Sequence, residues 1–135
     1  MNEIIEFDVV EEYNIFKVGI PIDTNLKLGD RKLDVIARID TGSTFSVFNR
    51  YFGEQLGVES ETGLDIKIGT ATGSFGAFGH ELTLTVLGLE FISTVYFAES
   101  ANFDRNVLGR TGFLDRVKFG LIEPEGKVFL SRYTD

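Results

Sequence analysis

Within a chain of 135 residues, Ile39-Asp40-Thr41-Gly42-Ser43 sets a carboxylate beside two hydroxyls and a glycine, at the end of a β-prone run. Glycine permits a tight turn there. Such a turn can direct the Asp40 carboxylate into a cleft, where the Thr41 and Ser43 hydroxyls hydrogen-bond it and favour its ionised form. A carboxylate held this way is equipped for general acid–base chemistry on a bound water. The plainer reading of the same tripeptide is a strand-terminal Asp-Thr-Gly turn without chemistry.

The rest of the inventory excludes more than it offers. The chain has no Cys, which removes thiolate nucleophiles, disulfides and cysteine metal sites. His80, the one histidine, would have to serve as base in any Ser-His-Asp triad. It lies in the rising arm of a hairpin with nothing in the sequence to pair it, so a hydrogen-bonded strand histidine is the expectation. The carboxylates match no metal-binding loop, and neither a metal nor another cofactor is expected. The run Ile68-Gly69-Thr70-Ala71-Thr72-Gly73-Ser74 invites comparison with the phosphate-cradling loop of flavodoxins. That reading needs a helix after the loop, whereas Phe75 to Val86 reads as strand.

Elements able to position Asp40 can be traced along the chain. Two prolines and fifteen glycines scattered among alternating apolar stretches predict many short strands and tight turns, an all-β, mainly antiparallel architecture with one or two short helices. Ile4 to Val10 reads as a strand, and Phe16 to Ile22 as another with Phe16, Val18, Ile20 and Ile22 on one face and Pro21 at its end. Asp23 to Arg31 reads as a polar connection. Leu33 to Ile39 then delivers Asp40. Phe45 to Phe48 resumes strand character; Asn49 caps a short helix over 50–56, and Gly57 closes it in a left-handed conformation. Leu64 to Ile68 and Glu81 to Leu87 form a long hairpin around a glycine-rich tip, and Phe91 to Phe97 is the next strand. A second short helix is predicted over 111–117, then Leu121-Ile122, a turn at 123–126 and a last strand from Lys127 to Leu130. The thirteen phenylalanines predict a Phe-rich core, with Phe75, Phe78, Phe91, Phe97 and Phe103 as core and pocket wall.

Length and charge set the remaining bounds. One compact domain over residues 1–135 is expected. A net charge of −8 repels phosphates, so neither nucleic acid nor an anionic membrane is an expected partner. The first residues carry no basic start or apolar run, and no stretch approaches the ~18 apolar residues of a span. A soluble, cytoplasmic protein is expected.

Three segments, taken together, resemble the retropepsin-like aspartic peptidases, the family of retroviral proteases and their cellular and bacterial relatives. Ala37 to Ser43 resembles the catalytic loop. Thr70-Ala71-Thr72-Gly73-Ser74-Phe75 resembles the tip of the flap that covers substrate. Asn106-Val107-Leu108-Gly109-Arg110 resembles the apolar-apolar-Gly motif before the C-terminal helix. The likeness is strongest over residues 33–120. It implies a closed β barrel of the retropepsin type, in which Val107-Leu108-Gly109 passes behind the catalytic loop. It further implies that Asp40 is the catalytic carboxylate, that Thr41 bonds across a dimer axis, that Gly42 admits the water and that Ser43 orients the outer carboxylate oxygen. Thr44, Val47 and Val107 would line side-chain pockets, with Ala71, Thr72 and Gly73 over the substrate.

The family pattern places two such aspartates in one site, and this chain has one motif. A homodimer sharing an Asp40 pair is therefore expected, with an extended peptide as substrate. Ser43 stands where retroviral members often carry Ala, which predicts a working range shifted toward acid. The chain also departs from the viral pattern: Thr44 and Phe45 follow Ser43 where an Asp commonly pairs with the Arg of the second motif, so Arg110 is expected to find Asp34 or Asp115 instead. The first thirty residues and the C-terminal four do not resemble the viral interface strands. The competing expectation, from a different functional class, is a peptide-binding or regulatory module that keeps the fold without turnover.

Overall fold

The computed structural model describes residues 2–59 and 62–134. Ten strands and one α-helix follow in order: β1 Val9–Glu12, β2 Pro21–Leu28, β3 Arg31–Ile39, β4 Val47–Phe48, α1 Arg50–Gln55, β5 Leu64–Thr70, β6 Gly73–Val86, β7 Leu89–Ala98, β8 Val107–Leu108, β9 Val117–Ile122 and β10 Lys127–Arg132. Seven strands form a sheet in the order β2-β3-β8-β4-β7-β6-β5, and β2 also pairs with β6, which bends the sheet into a partial ring. A second sheet has the order β1-β10-β9. Most pairings are antiparallel; β3–β8 and β4–β7 are parallel, so the larger sheet is mixed.

The side-chain period of two decides which face each strand buries. In β3, Val35, Ala37 and Ile39 point inward while Asp34, Ile36 and Arg38 face out. Leu82, Leu84 and Val86 of β6 do the same. These residues join Val95, Phe97, Leu108 and Phe113, with Val128 and Leu130 of the smaller sheet, in one apolar cluster. Three phenylalanines, Phe48, Phe97 and Phe113, are its largest fully buried side chains. The β6–β7 hairpin turns on Leu87 and Gly88, both left-handed (φ 51° and 82°), which matches the twist of the flanking strands. Leu87 bears the steric cost of a side chain there and is half-buried against the core.

Residues 16–22 do not form the predicted strand. Residues 15–19 are turn and bend instead, with Gly19 left-handed (φ 74°) and Phe16 and Val18 92% and 77% exposed. The strand begins at Pro21, a first position where a missing N–H costs nothing. It continues through the segment expected to be a polar connection, because Ile22, Thr24 and Leu26 alternate inward and the Thr24 hydroxyl donates to Ile22 O at 3.2 Å. Of Ile4 to Val10 only Val9 and Val10 are in β1.

The first helix is as expected. Asn49 accepts Tyr51 N–H at 2.8 Å, and Gly57 closes the end with φ 83°. The predicted second helix is a single 3-10 turn, Leu114–Arg116. Gly112 is left-handed (φ 97°), and the Thr111 carbonyl is committed to Ser46 N–H at 3.1 Å and the Ser46 hydroxyl at 2.9 Å, so no helical ladder starts there.

Candidate functional site

Strand β3 ends at buried Ile39, and the next residue, Asp40, is exposed. The Asp40 amide donates to Leu108 O at 3.0 Å, which anchors the residue to β8 beneath it. The chain then folds into a tight turn: Gly42 N–H donates to the Asp40 Oδ1 at 2.9 Å, and Ser43 N–H to Asp40 O at 3.2 Å. A backbone amide thus fixes one carboxylate oxygen in place. Thr41 and Gly42 are exposed, and the Thr41 hydroxyl makes no hydrogen bond among the described residues.

The support below this turn is dense with backbone hydrogen bonds. Arg110 N–H donates to Ser43 O (2.8 Å), Thr111 N–H to Thr44 O (2.8 Å), Ser46 N–H to Thr111 O (3.1 Å) and Arg38 N–H to Asn106 O (2.9 Å). Gly109 lies so close that an added Cβ would sit 2.3 Å from Phe45 O and 2.7 Å from Ser43 O. Val107-Leu108-Gly109 passes behind the loop as expected, with Leu108 fully buried. At the centre stands a residue the sequence reading passed over. Ser46, fully buried, accepts Gly109 N–H at 3.0 Å and donates to Thr111 O at 2.9 Å. The one available signal was a hydroxyl interrupting the apolar run Phe45-Ser46-Val47-Phe48.

Ser43 departs from its expected contact. Its hydroxyl donates to Phe45 O at 2.7 Å, which commits its proton to the loop backbone and away from the Asp40 carboxylate. Arg110 does not find Asp34 or Asp115 either. Asp34 accepts from Asn25 Nδ2 at 3.0 Å, Asp115 accepts Gly112 N–H at 3.0 Å and pairs with Arg116 at 3.7 Å, and Arg110 makes no ion pair among the described residues. Its neighbours at the surface are Thr44, Thr111, Leu114 and Asp115, which with it line a cleft of about 500 Å³.

The predicted pocket residues fall into two groups. Val47 and Val107 pair directly, Val107 also pairs with Arg38 two residues before Asp40, and Thr44 is exposed at the loop's edge. Val47 belongs to a second apolar cluster with Ala77, Tyr96 and Ala98, flanked by Phe45, Ile66, Ile68, Phe75 and Phe103. Phe75 stacks on Phe103 (4.8 Å) and Phe45 meets the Tyr96 ring edge-on (5.1 Å). The anticipated aromatic set therefore divides, with Phe97 in the main core and Phe75 and Phe103 beneath the β5–β6 hairpin. Ala71, Thr72 and Gly73 are exposed at the tip of that hairpin. There the Thr70 hydroxyl donates to Gly73 O at 3.1 Å, and no hydrogen bond among the described residues ties the tip to the Asp40 loop.

His80, at the root of the same hairpin, is packed against the Gly63 backbone and near the Phe97 ring. Its Nε2 is buried without a hydrogen bond among the described residues. Burial lowers its pKa below 6.5, opposed by a backbone hydrogen bond at Thr62. The described residues contain no group of three or more His, Asp or Glu placed to hold a metal ion. No described helix is long and apolar enough to cross a membrane. A larger hollow of about 640 Å³ lies over β2 and β3, among Asp23, Asn25, Asp34, Ile36 and Thr85, and does not include Asp40.

Neither a protein-family model nor a curated protein matches the sequence. Among solved structures, the chain is similar to EIAV protease complexed with the inhibitor HBY-793, at a TM-score of 0.56 and 21% identity, covering 73% of this chain and 86% of that one. The likeness is one of fold, and it supports a retropepsin-like arrangement of the strands around Asp40.

Proposed function

We propose that this chain is an aspartic endopeptidase, active as a homodimer in which Asp40 of each copy forms a shared pair. The observation that carries the reading is the exposed Asp40 carboxylate at the end of β3, fixed by Gly42 N–H and propped from below by Leu108 and Gly109. A surface carboxylate with this much backbone support is well placed to meet its counterpart on a two-fold axis. Carboxylates a few ångströms apart cannot both ionise, so the pair holds one proton. The ionised member takes a proton from a trapped water as it attacks the scissile carbonyl. Its protonated partner hydrogen-bonds the carbonyl oxygen and stabilises the developing charge.

On this reading Thr41 turns its unengaged hydroxyl across the axis, and Gly42 leaves room for the water. The peptide lies extended as an added strand between the Asp40 loops and the hairpin tips, Ala71, Thr72 and Gly73 closing over it. Thr44, Val47 and Val107, backed by the Phe45, Tyr96, Phe75 and Phe103 cluster, line pockets suited to apolar side chains. On this reading the partial ring made by the β2–β6 pairing belongs to a single domain, and a cytoplasmic location accords with the cysteine-free sequence.

The test is cleavage of a mixed peptide library between about pH 4 and pH 7, comparing the chain with Asp40→Asn at concentrations where both are dimeric. A loss of turnover of roughly a thousandfold or more in Asp40→Asn is expected. A dimer without turnover would transfer the assignment to a peptide-binding module that keeps the fold.

A further inference from the structure

Arg38 leaves the chain on the same side as Asp40. In β3 the buried Ala37 and Ile39 alternate with exposed Arg38 and then exposed Asp40, so the two charged residues share one face, about 7 Å apart along the strand. The arginine stem leans further toward the carboxylate. Pro21 is the register partner of Arg38, and Ile39 N–H donates to Ile20 O at 3.1 Å, which brings Gly19 opposite Asp40. A Cβ on Gly19 would sit 2.9 Å from the Arg38 Cδ, so the stem lies against that glycine, at the level of Asp40. On its other flank Arg38 pairs with Val107, one of the residues proposed to line the peptide site.

The Arg38 guanidinium makes no hydrogen bond or ion pair among the described residues, in a chain whose 21 acidic residues outnumber its 13 lysines and arginines. The segments on either side, 14–19 and 103–106, add two exposed cations without ion pairs, Lys17 and Arg105, against the single acid Asp104. A local excess of positive charge therefore borders Asp40 on a chain of net charge −8. A planar guanidinium with its fork unoccupied matches a carboxylate in two parallel hydrogen bonds. We propose that Arg38 is a specificity residue, which takes the carboxylate of a Glu or Asp side chain on the peptide, within about three residues of the bond lying over Asp40. The inference rests on the peptide site proposed above and adds one acid-selecting position to pockets otherwise suited to apolar side chains. The rest of the chain repels an acidic peptide, so the preference depends on this contact and weakens with salt.

The test reads binding apart from turnover. In an Asp40→Asn parent, labelled peptides carrying Glu, Gln or Lys at each position within about three residues of a central apolar pair are titrated by fluorescence anisotropy. At one position the Glu peptide should bind about tenfold tighter than its Gln counterpart, with the gap narrowing at high salt. Arg38→Gln should bring that ratio below about twofold, Arg38→Lys should keep part of it, and Arg38→Glu should favour the Lys peptide. An arginine with a structural role alone would shift all three peptides together. Equal or absent binding of the Glu and Gln peptides at every position, or a Glu preference that survives Arg38→Gln, overturns the proposal; cleavage of the same peptides by the unsubstituted chain then keeps the peptidase reading. A Glu preference that depends on Arg38, without cleavage by the unsubstituted dimer, upholds the proposal for a peptide-binding module and overturns the peptidase reading.

Discussion

Ser46 holds Gly109 from below: its hydroxyl accepts the Gly109 amide at 3.0 Å and passes its own proton to Thr111 O at 2.9 Å, inside a fully buried site. One side chain thus satisfies a donor and an acceptor of the segment after β8 that props the Asp40 loop. Ser46→Ala keeps the shape and orphans the Gly109 amide, while Thr111 O keeps the Ser46 N–H at 3.1 Å. The expected loss is about 2 kcal/mol of unfolding free energy, by analogy with other buried donors left without a partner. Denaturant melts of Ser46→Ala and Ser46→Thr check this. Unchanged stability in Ser46→Ala would mean that the Gly109 amide finds another partner.

Gly109 has no room to change. A methyl there would sit 2.3 Å from Phe45 O and 2.7 Å from Ser43 O, both backbone atoms that cannot swing aside. Gly109→Ala must lift the Asp40 loop off β8 or shift β8 itself, a cost of roughly 1–3 kcal/mol on the scale of overpacked cores. Turnover should fall further than stability, because the carboxylate moves with the loop and small misplacements are costly in catalysis. Thermal melts and peptide cleavage on the same preparation separate the two. Equal stability and activity to the parent would show that the loop does not depend on this contact.

Local chemistry in the sequence was enough for the features that depend on local chemistry. The Asn49 cap, the left-handed Gly57, the strand entering Asp40 and the long hairpin all follow from turn residues and period. What was missed depends on residues far apart in the chain. Thr24 reads as turn until Val86 is placed opposite it, and then it is the middle of a buried strand. Residues 111–117 have helical composition, but Thr44 and Ser46 claim the backbone groups of Thr111, and Gly112 turns left-handed. Ser46 itself is one hydroxyl in an apolar run, and only the approach of Gly109 gives it a task.

His80 should make the hairpin root sensitive to acid. Burial lowers its pKa below the unfolded value of 6.5, so the folded chain prefers the neutral ring. Below the unfolded pKa the unfolded chain binds the proton more readily, and stability rises with pH through that window. The contribution is therefore present above about pH 6.5 and is lost as pH falls toward the lower folded pKa. Melting temperatures of the chain and of His80→Gln from about pH 7.5 to pH 5 isolate it, since the other titrating groups are common to both. The parent should lose more stability on acidification than the variant; parallel curves would mean that His80 remains solvated.

Ser43 offers the sharpest separation between support and chemistry. Its hydroxyl has one proton, and that proton goes to Phe45 O at 2.7 Å, leaving the Asp40 carboxylate to be held by the Gly42 amide. Ser43→Ala should therefore cost about 1 kcal/mol through the lost hydrogen bond and leave the acid limb of the pH–rate profile in place. The alternative is built into the same rotor. If pairing of two copies brought enough negative charge to turn the hydroxyl toward the carboxylate, an extra donor would favour the ionised form, and Ser43→Ala would move the acid limb upward in pH. A pH–rate series on both proteins, with stability measured alongside, decides between a loop strut and a carboxylate donor.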